Sequence, residues 1–167
     1  MRHGETDANA NGIVQGWLDT DLNARGHAQA DVAAEMFNED IDAIYSSDLK
    51  RALQTAVKFR NKYSGIPFFE DARLRERNFG DAAGDCRDNY DWERFWSSSD
   101  GVSIPNAETL DEYNQRVWSF IIDIKSAGFK KVLIVTHSGT INRWRDLTTD
   151  NYAPVAHHNA TVVRLSI

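Results

Sequence analysis

The chain has 167 residues, a usual length for one domain, and its 19 Lys and Arg against 25 Asp and Glu give a net charge of −6. That balance excludes a global basic footprint for nucleic acid or anionic lipid, and a single cysteine, Cys86, excludes an internal disulfide or a cysteine-based zinc site. With no apolar run long enough to span a bilayer and no signal-like segment at the start, the expectation is a soluble, cytoplasmic single domain over residues 1–167.

Taken in chain order, Ala30, Ala33, Ala34 and Phe37 share one face of a helix expected from about Asn23 to Asn38. Ala43-Ile44-Tyr45-Ser46 reads as a short strand, and Ser46-Ser47-Asp48 offers capping oxygens to a helix continuing to about Tyr63. Pro67 to Glu70 reads as an edge strand, because proline is tolerated at its start. Residues 77–107 differ, mixing Gly, Asp and Ser with Tyr90, Trp92, Phe95 and Trp96 around a short helix near 89–97. Such an excursion is either a substrate-facing lid or a surface subdomain packed by its own aromatics. Leu110, Tyr113, Val117, Phe120, Ile121 and Ile124 then recur at steps of three and four, predicting a helix that ends at Gly128. Lys131 to Thr136 is a β-branched, apolar run expected of a strand buried on both faces, and Thr161 to Ile167 alternates as a terminal strand would. Helices alternating with buried strands predict an α/β layered domain.

Chemistry concentrates at strand ends. His137 directly follows the strongest strand, and Ser138-Gly139-Thr140 leads from it into a helix. Arg51 lies in the first turn of the helix after the strand ending near Ser46. In open α/β sheets ligands collect at the carboxyl ends of strands, where free N–H groups at a helix start suit an anion. Arg2-His3-Gly4-Glu5-Thr6 opens the chain. His157-His158 gives no metal site by this reading, since neighbours in an extended segment point to opposite sides.

These residues carry a family resemblance along nearly the whole chain. Arg2-His3-Gly4-Glu5-Thr6 with Asn9, Gly12, Gln15, Gly16 and Asp19, then Ser46 to Ala56, then Leu74-Arg75-Glu76 with Phe79-Gly80 and Gly84, then Ala107-Glu108-Thr109-Leu110, and last Val132 to Gly139, resemble the signature segments of the histidine phosphatase superfamily in their order. The similarity is to its phosphoglycerate mutase-like branch. It implies a three-layer sandwich with a mostly parallel central sheet flanked by helices. It also implies a phosphomonoester hydrolase acting on a small phosphorylated metabolite through a phosphohistidine on His3. Arg2, Arg51 and His137 would then surround the phosphoryl oxygens, with Asn9 as a further phosphate contact and Glu76 as general acid and base. His3 must be neutral, its other ring nitrogen held as a donor by a backbone carbonyl. The resemblance implies no cofactor and no metal, two guanidiniums standing in for the charge of Mg²⁺. Arg77, Arg87, Arg94 and the insert aromatics are the candidates for the non-phosphate part of the substrate; Glu5 and Glu108 are the alternative acids.

The sequence departs from the family pattern in places. An apolar central strand normally precedes Arg-His-Gly, whereas this chain starts at Met1; the expectation is that an N-terminal central strand belongs upstream. Ala8 stands where the family often has Trp, Ala82-Ala83 where it often has Trp-Glu, and Ser138 where Gly is common. The short stretch between Glu76 and Glu108 favours hydrolysis over a mutase, which must keep water from its phosphohistidine. The alternatives are a phosphoglycerate mutase-type phosphotransferase and a non-catalytic phospholigand-binding protein. Neither natural substrate nor oligomeric state is legible.

Overall fold

The β-branched, apolar runs at 43–46 and 132–135 pair in parallel, as strands covered on both faces do. The computed structural model describes residues 1–97, 104–149 and 154–165. Its strands are β1 (Ala43–Ser46), β2 (Phe68–Glu70) and β3 (Val132–Val135), and its helices α1 (Asp7–Ala10), α2 (Ala24–Met36), α3 (Lys50–Lys62), α4 (Trp92–Ser97), α5 (Leu110–Ser126) and α6 (Ser138–Thr148). Single 3₁₀ turns lie at Ala72–Leu74, Gly80–Ala82 and Arg87–Asn89. The sheet runs β2-β1-β3, all parallel, with Ile44 opposite Phe68 on one side and Leu133 on the other. Arg2 adds a parallel bridge to Thr136, so the start of the chain lies along the edge of β3 away from β1.

The two-residue period of the strands sorts the core into layers. Ile44, Leu133 and Val135 face Ala34 of α2 and Ala52, Ala56 and Phe59 of α3. Tyr45, Val132 and Ile134 face the opposite way, onto Val117, Phe120, Ile121 and Ile124 of α5 and Trp144 of α6. Phe59, Phe120 and Ile121 are fully buried, each stabilising the fold by about 1.5–3 kcal/mol over exposure. The predicted α/β class with helices on both faces is the observed one. A third cluster packs Phe95, Ile104 and Ala107 of the insert against Val14, with Phe79, Trp92 and Trp96 around it.

Local signals set most ends. Thr109 caps α5 in a reciprocal box with Glu112, and Gly128 beyond its last turn takes the left-handed φ of 77°. Two expectations are corrected. Ser46, Ser47 and Asp48 do not cap α3 at its first residue: the amide of Lys50 donates to Asp19 Oδ1 (2.7 Å) from a distant loop, while Asp48 is tied to Arg75. Residues 161–165 form no strand, because the partner the segment meets is the single amide of Arg2, which donates to the Thr161 carbonyl. Among the described residues no helix is long and apolar enough to cross a membrane.

Candidate active site

His3 sits where the Arg2–Thr136 bridge leaves the sheet, its amide donating to the Thr136 carbonyl at 3.0 Å. Its Nδ1 lies 2.6 Å from the Gly4 carbonyl; a carbonyl only accepts, so Nδ1 carries the proton and Nε2 keeps its lone pair. Gly4 makes this turn possible: a Cβ there would stand 2.4 Å from the Gly26 carbonyl oxygen, because the loop touches the first turn of α2 backbone to backbone. Burial first, then the charges of Arg51 and Arg2, hold His3 well below the ordinary imidazole pKa, so the ring is neutral at pH 7.

His137, the residue before α6, lies with its ring tilted 59° to that of His3 at 5.1 Å between centroids, and its Nε2 is 3.0 Å from Ser47 Oγ. It too is buried and held well below its ordinary pKa, by burial and then Arg51. Arg51 is clamped by the carbonyls of Leu18 and Gly16, both at 2.7 Å, and burial pulls its pKa down to about 10. Arg2 donates to the His157 carbonyl at 2.5 Å. The Nε atoms of both arginines and Nδ1 of His137 are buried with no partner among the described residues. Buried N–H donors such as the two arginine Nε atoms are matched by an anion.

Glu76 reaches the same place from the loop after β2. Its carboxylate accepts from the amides of Gly139 (2.9 Å) and Arg77 (3.0 Å), with the Tyr113 hydroxyl at 3.3 Å. Arg116 fixes that loop by donating to the carbonyls of Arg73, Arg75 and Glu76. The alternative acids are engaged elsewhere: Glu108 is paired to Arg116 at 2.8 Å, and Glu5 bonds Asn23 and Arg25.

Arg2, His3, Asn9, Arg51, Glu76 and His137 all line one cavity of about 930 Å³. Asn9 turns its Oδ1 to Thr6 and Asn159, inside a capping box that starts α1. Arg87, Trp92 and Trp96 bring the insert into the same wall, so its aromatics both pack on themselves and face the cavity. Two of the expected substrate contacts do not line this cavity. Arg77 is buried away from the cavity lining, donating to the Phe95 and Glu108 carbonyls with its guanidinium 3.7 Å from the Phe95 ring centroid. Arg94 lies exposed on α4, outside the lining. Sequence reasoning passed over His157, Asn159 and Arg143, which also line the cavity. Asn142 holds the His157 segment in place, accepting at 2.9 Å from its ring, a pairing across 15 residues that no local pattern announces.

The model of the histidine phosphatase superfamily, branch 1, matches residues 1–167. The chain belongs to the histidine phosphatase superfamily. The uncharacterized phosphatase PhoE of Bacillus subtilis is 38% identical to it over 144 residues, 85% of this chain and 72% of that protein. A 2,3-bisphosphoglycerate-dependent phosphoglycerate mutase of Bartonella tribocorum is 32% identical over 133 residues, 73% of this chain and 65% of the mutase. Among solved histidine phosphatase structures, a mycobacterial glucosyl-3-phosphoglycerate phosphatase in complex with VO₃ superposes with a TM-score of 0.83 at 27% identity, covering 95% of this chain and 85% of that one.

Proposed function

We propose that this histidine phosphatase is a metal-independent phosphomonoester hydrolase, acting on a small phosphorylated metabolite through a phosphohistidine on His3. The observation that carries the reading is the state of His3: neutral, buried, its Nε2 lone pair free, in one cavity with Arg2, Arg51, His137 and Glu76. In the first step His3 Nε2 attacks phosphorus as the ester P–O bond breaks, and Glu76 passes to the leaving oxygen a proton taken up from the bound phosphate monoanion. Arg2, Arg51, Asn9 and His137 hold the three equatorial oxygens, so that charge and position supply the catalysis. In the second step a water gives its proton to Glu76 and attacks phosphorus; the P–N bond breaks and inorganic phosphate leaves.

The insert within 77–107 serves this reading as the wall around the leaving group, and residues 1–167 as one catalytic unit. An exposed free thiol such as Cys86 suits the reducing cytoplasm, where we place the reaction. The acidic balance gives nucleic acid no role.

The test is phosphate release from 4-nitrophenyl phosphate in EDTA, comparing the chain with His3→Ala. Turnover that survives EDTA and falls at least a thousandfold in the variant is expected. Turnover abolished by EDTA, or retained without His3, defeats the proposal. Phosphate appearing on a second substrate oxygen instead of in solution would make the protein a transferase.

A further inference from the structure

Tyr113 is a buried titratable group to which the reaction above gives no part. It lies on α5 behind Glu76, outside the cavity lining, with Trp96 beside its ring. Its hydroxyl oxygen stands 2.9 Å from Thr140 Oγ1 and 3.3 Å from Glu76 Oε1. A phenol has one hydrogen to give, so it serves only one of the two at a time. Thr140 cannot reverse its bond, because its own hydrogen goes to the Arg75 carbonyl at 2.9 Å, and a carbonyl only accepts. Thr140 Oγ1 is therefore a standing acceptor, fully buried and within reach of Tyr113. The choice between the two acceptors depends on Glu76. An ionised carboxylate draws a hydrogen bond about twice as strongly as a neutral group, and protonation removes that advantage. Burial, with the Glu76 charge beside it, pushes the Tyr113 hydroxyl well above its ordinary pKa, so it turns without giving up its hydrogen.

We infer that Tyr113 and Thr140 form a hydroxyl switch that follows the proton of Glu76. Tyr113 donates to the carboxylate while Glu76 is ionised and turns to Thr140 when Glu76 takes up a proton. Both are positioning residues that act through Glu76, and the inference rests on Glu76 being the general acid and base. As the bound monoanion passes its proton to Glu76, the Tyr113 O–H rotates to Thr140. As Glu76 passes that proton to the leaving oxygen and the ester P–O bond breaks, the O–H rotates back. The Tyr113 hydrogen itself is never transferred. Each change in Glu76 then leaves the number of buried hydrogen bonds unchanged, where an unpaired buried donor would be costly.

A double-mutant cycle on kcat/KM tests it, with an alkyl phosphate, whose leaving oxygen needs the proton, and 4-nitrophenyl phosphate, whose leaving oxygen does not. Thr140→Val removes the alternative acceptor, so Tyr113 stays on the carboxylate and protonated Glu76 is disfavoured. The Arg75 carbonyl keeps a donor in that variant, the Arg116 guanidinium at 3.0 Å. A fall of about tenfold is expected for the alkyl phosphate and of less than about threefold for the nitrophenyl ester. Tyr113→Phe takes the bond from both states of Glu76 alike. It is expected to cost the alkyl phosphate less than Thr140→Val does, although Tyr113 is the residue that touches Glu76. With Tyr113→Phe already present, adding Thr140→Val is expected to change the rate by less than about threefold. Thr140→Ser keeps the hydroxyl and is expected to stay within about threefold of wild type. Should Thr140→Val fail to fold, Thr140→Ala removes the same hydroxyl with a residue that favours the helix. Equal losses for both substrates in Thr140→Val overturn the switch. So does a loss from Thr140→Val that is the same with and without the Tyr113 hydroxyl, or a larger loss from Tyr113→Phe. Wild-type turnover that survives His3→Ala removes instead the reaction on which the inference rests.

Discussion

Replacing Gly139 by alanine tests whether the placement of Glu76 matters to the chemistry. An added Cβ would stand 2.2 Å from Glu76 Oε1, where an ordinary contact is at least 3.4 Å, and 2.9 Å from the Trp96 ring. The carboxylate therefore has to retreat by about 1 Å and gives up the Gly139 amide; a displacement of that size costs about a hundredfold in rate. Stability moves little. Alanine favours a helix over glycine by up to about 1 kcal/mol, against about 1.5–3 kcal/mol for a lost bond to a charged group, so a melting shift of only a few degrees is expected. The assay is kcat/KM for two substrates, an alkyl phosphate and 4-nitrophenyl phosphate. The alkoxide leaves only with a proton and should lose about a hundredfold; nitrophenolate leaves unaided and should lose less than about tenfold. Equal losses for both substrates, or an alkyl rate within threefold of wild type, would refute the role given to Glu76.

Other expectations concern stability. His3 and His137 are buried neutral with pKa values held well below the ordinary one, so below about pH 6.5 the unfolded chain binds protons that the folded chain does not. Stability is therefore fully present above that pH and is lost as pH falls below it, with a slope of up to about 1.4 kcal/mol per pH unit for each histidine. Melting curves from pH 8 to 5 should show this fall, and His3→Gln should reduce its slope; a flat profile would contradict the neutral assignment. Arg116→Met leaves Glu108, whose side chain is only 10% exposed, without its ion pair, and frees the loop that carries Glu76. A loss of about 3 kcal/mol, roughly 10 °C in melting temperature, is expected with a fall in activity; a drop under 3 °C would show that the pair contributes little.

What the sequence by itself determined here is what local physics controls. Strand β1, the ends of α5 at Thr109 and Gly128, and the two faces of the sheet follow from periodicity and capping, which act over a few residues. The signature segments marked Arg2, His3, Asn9, Arg51, Glu76 and His137, and the fold brings all six to one cavity. Tertiary structure decided the rest, because it depends on which distant groups meet. Arg77 and Arg87 are both arginines of the insert, but Arg77 is consumed by two backbone carbonyls and an aromatic face while Arg87 is left in the cavity wall. The cap of α3 comes from Asp19, 31 residues away, and the hold on Arg2 from the His157 carbonyl, 155 residues away. Residues 161–165 alternate as a strand should, yet a ladder needs a neighbouring backbone, and beside Arg2 the fold supplies one amide. Composition names the donors and acceptors; only the packed chain fixes which of them are already satisfied and which still face the cavity.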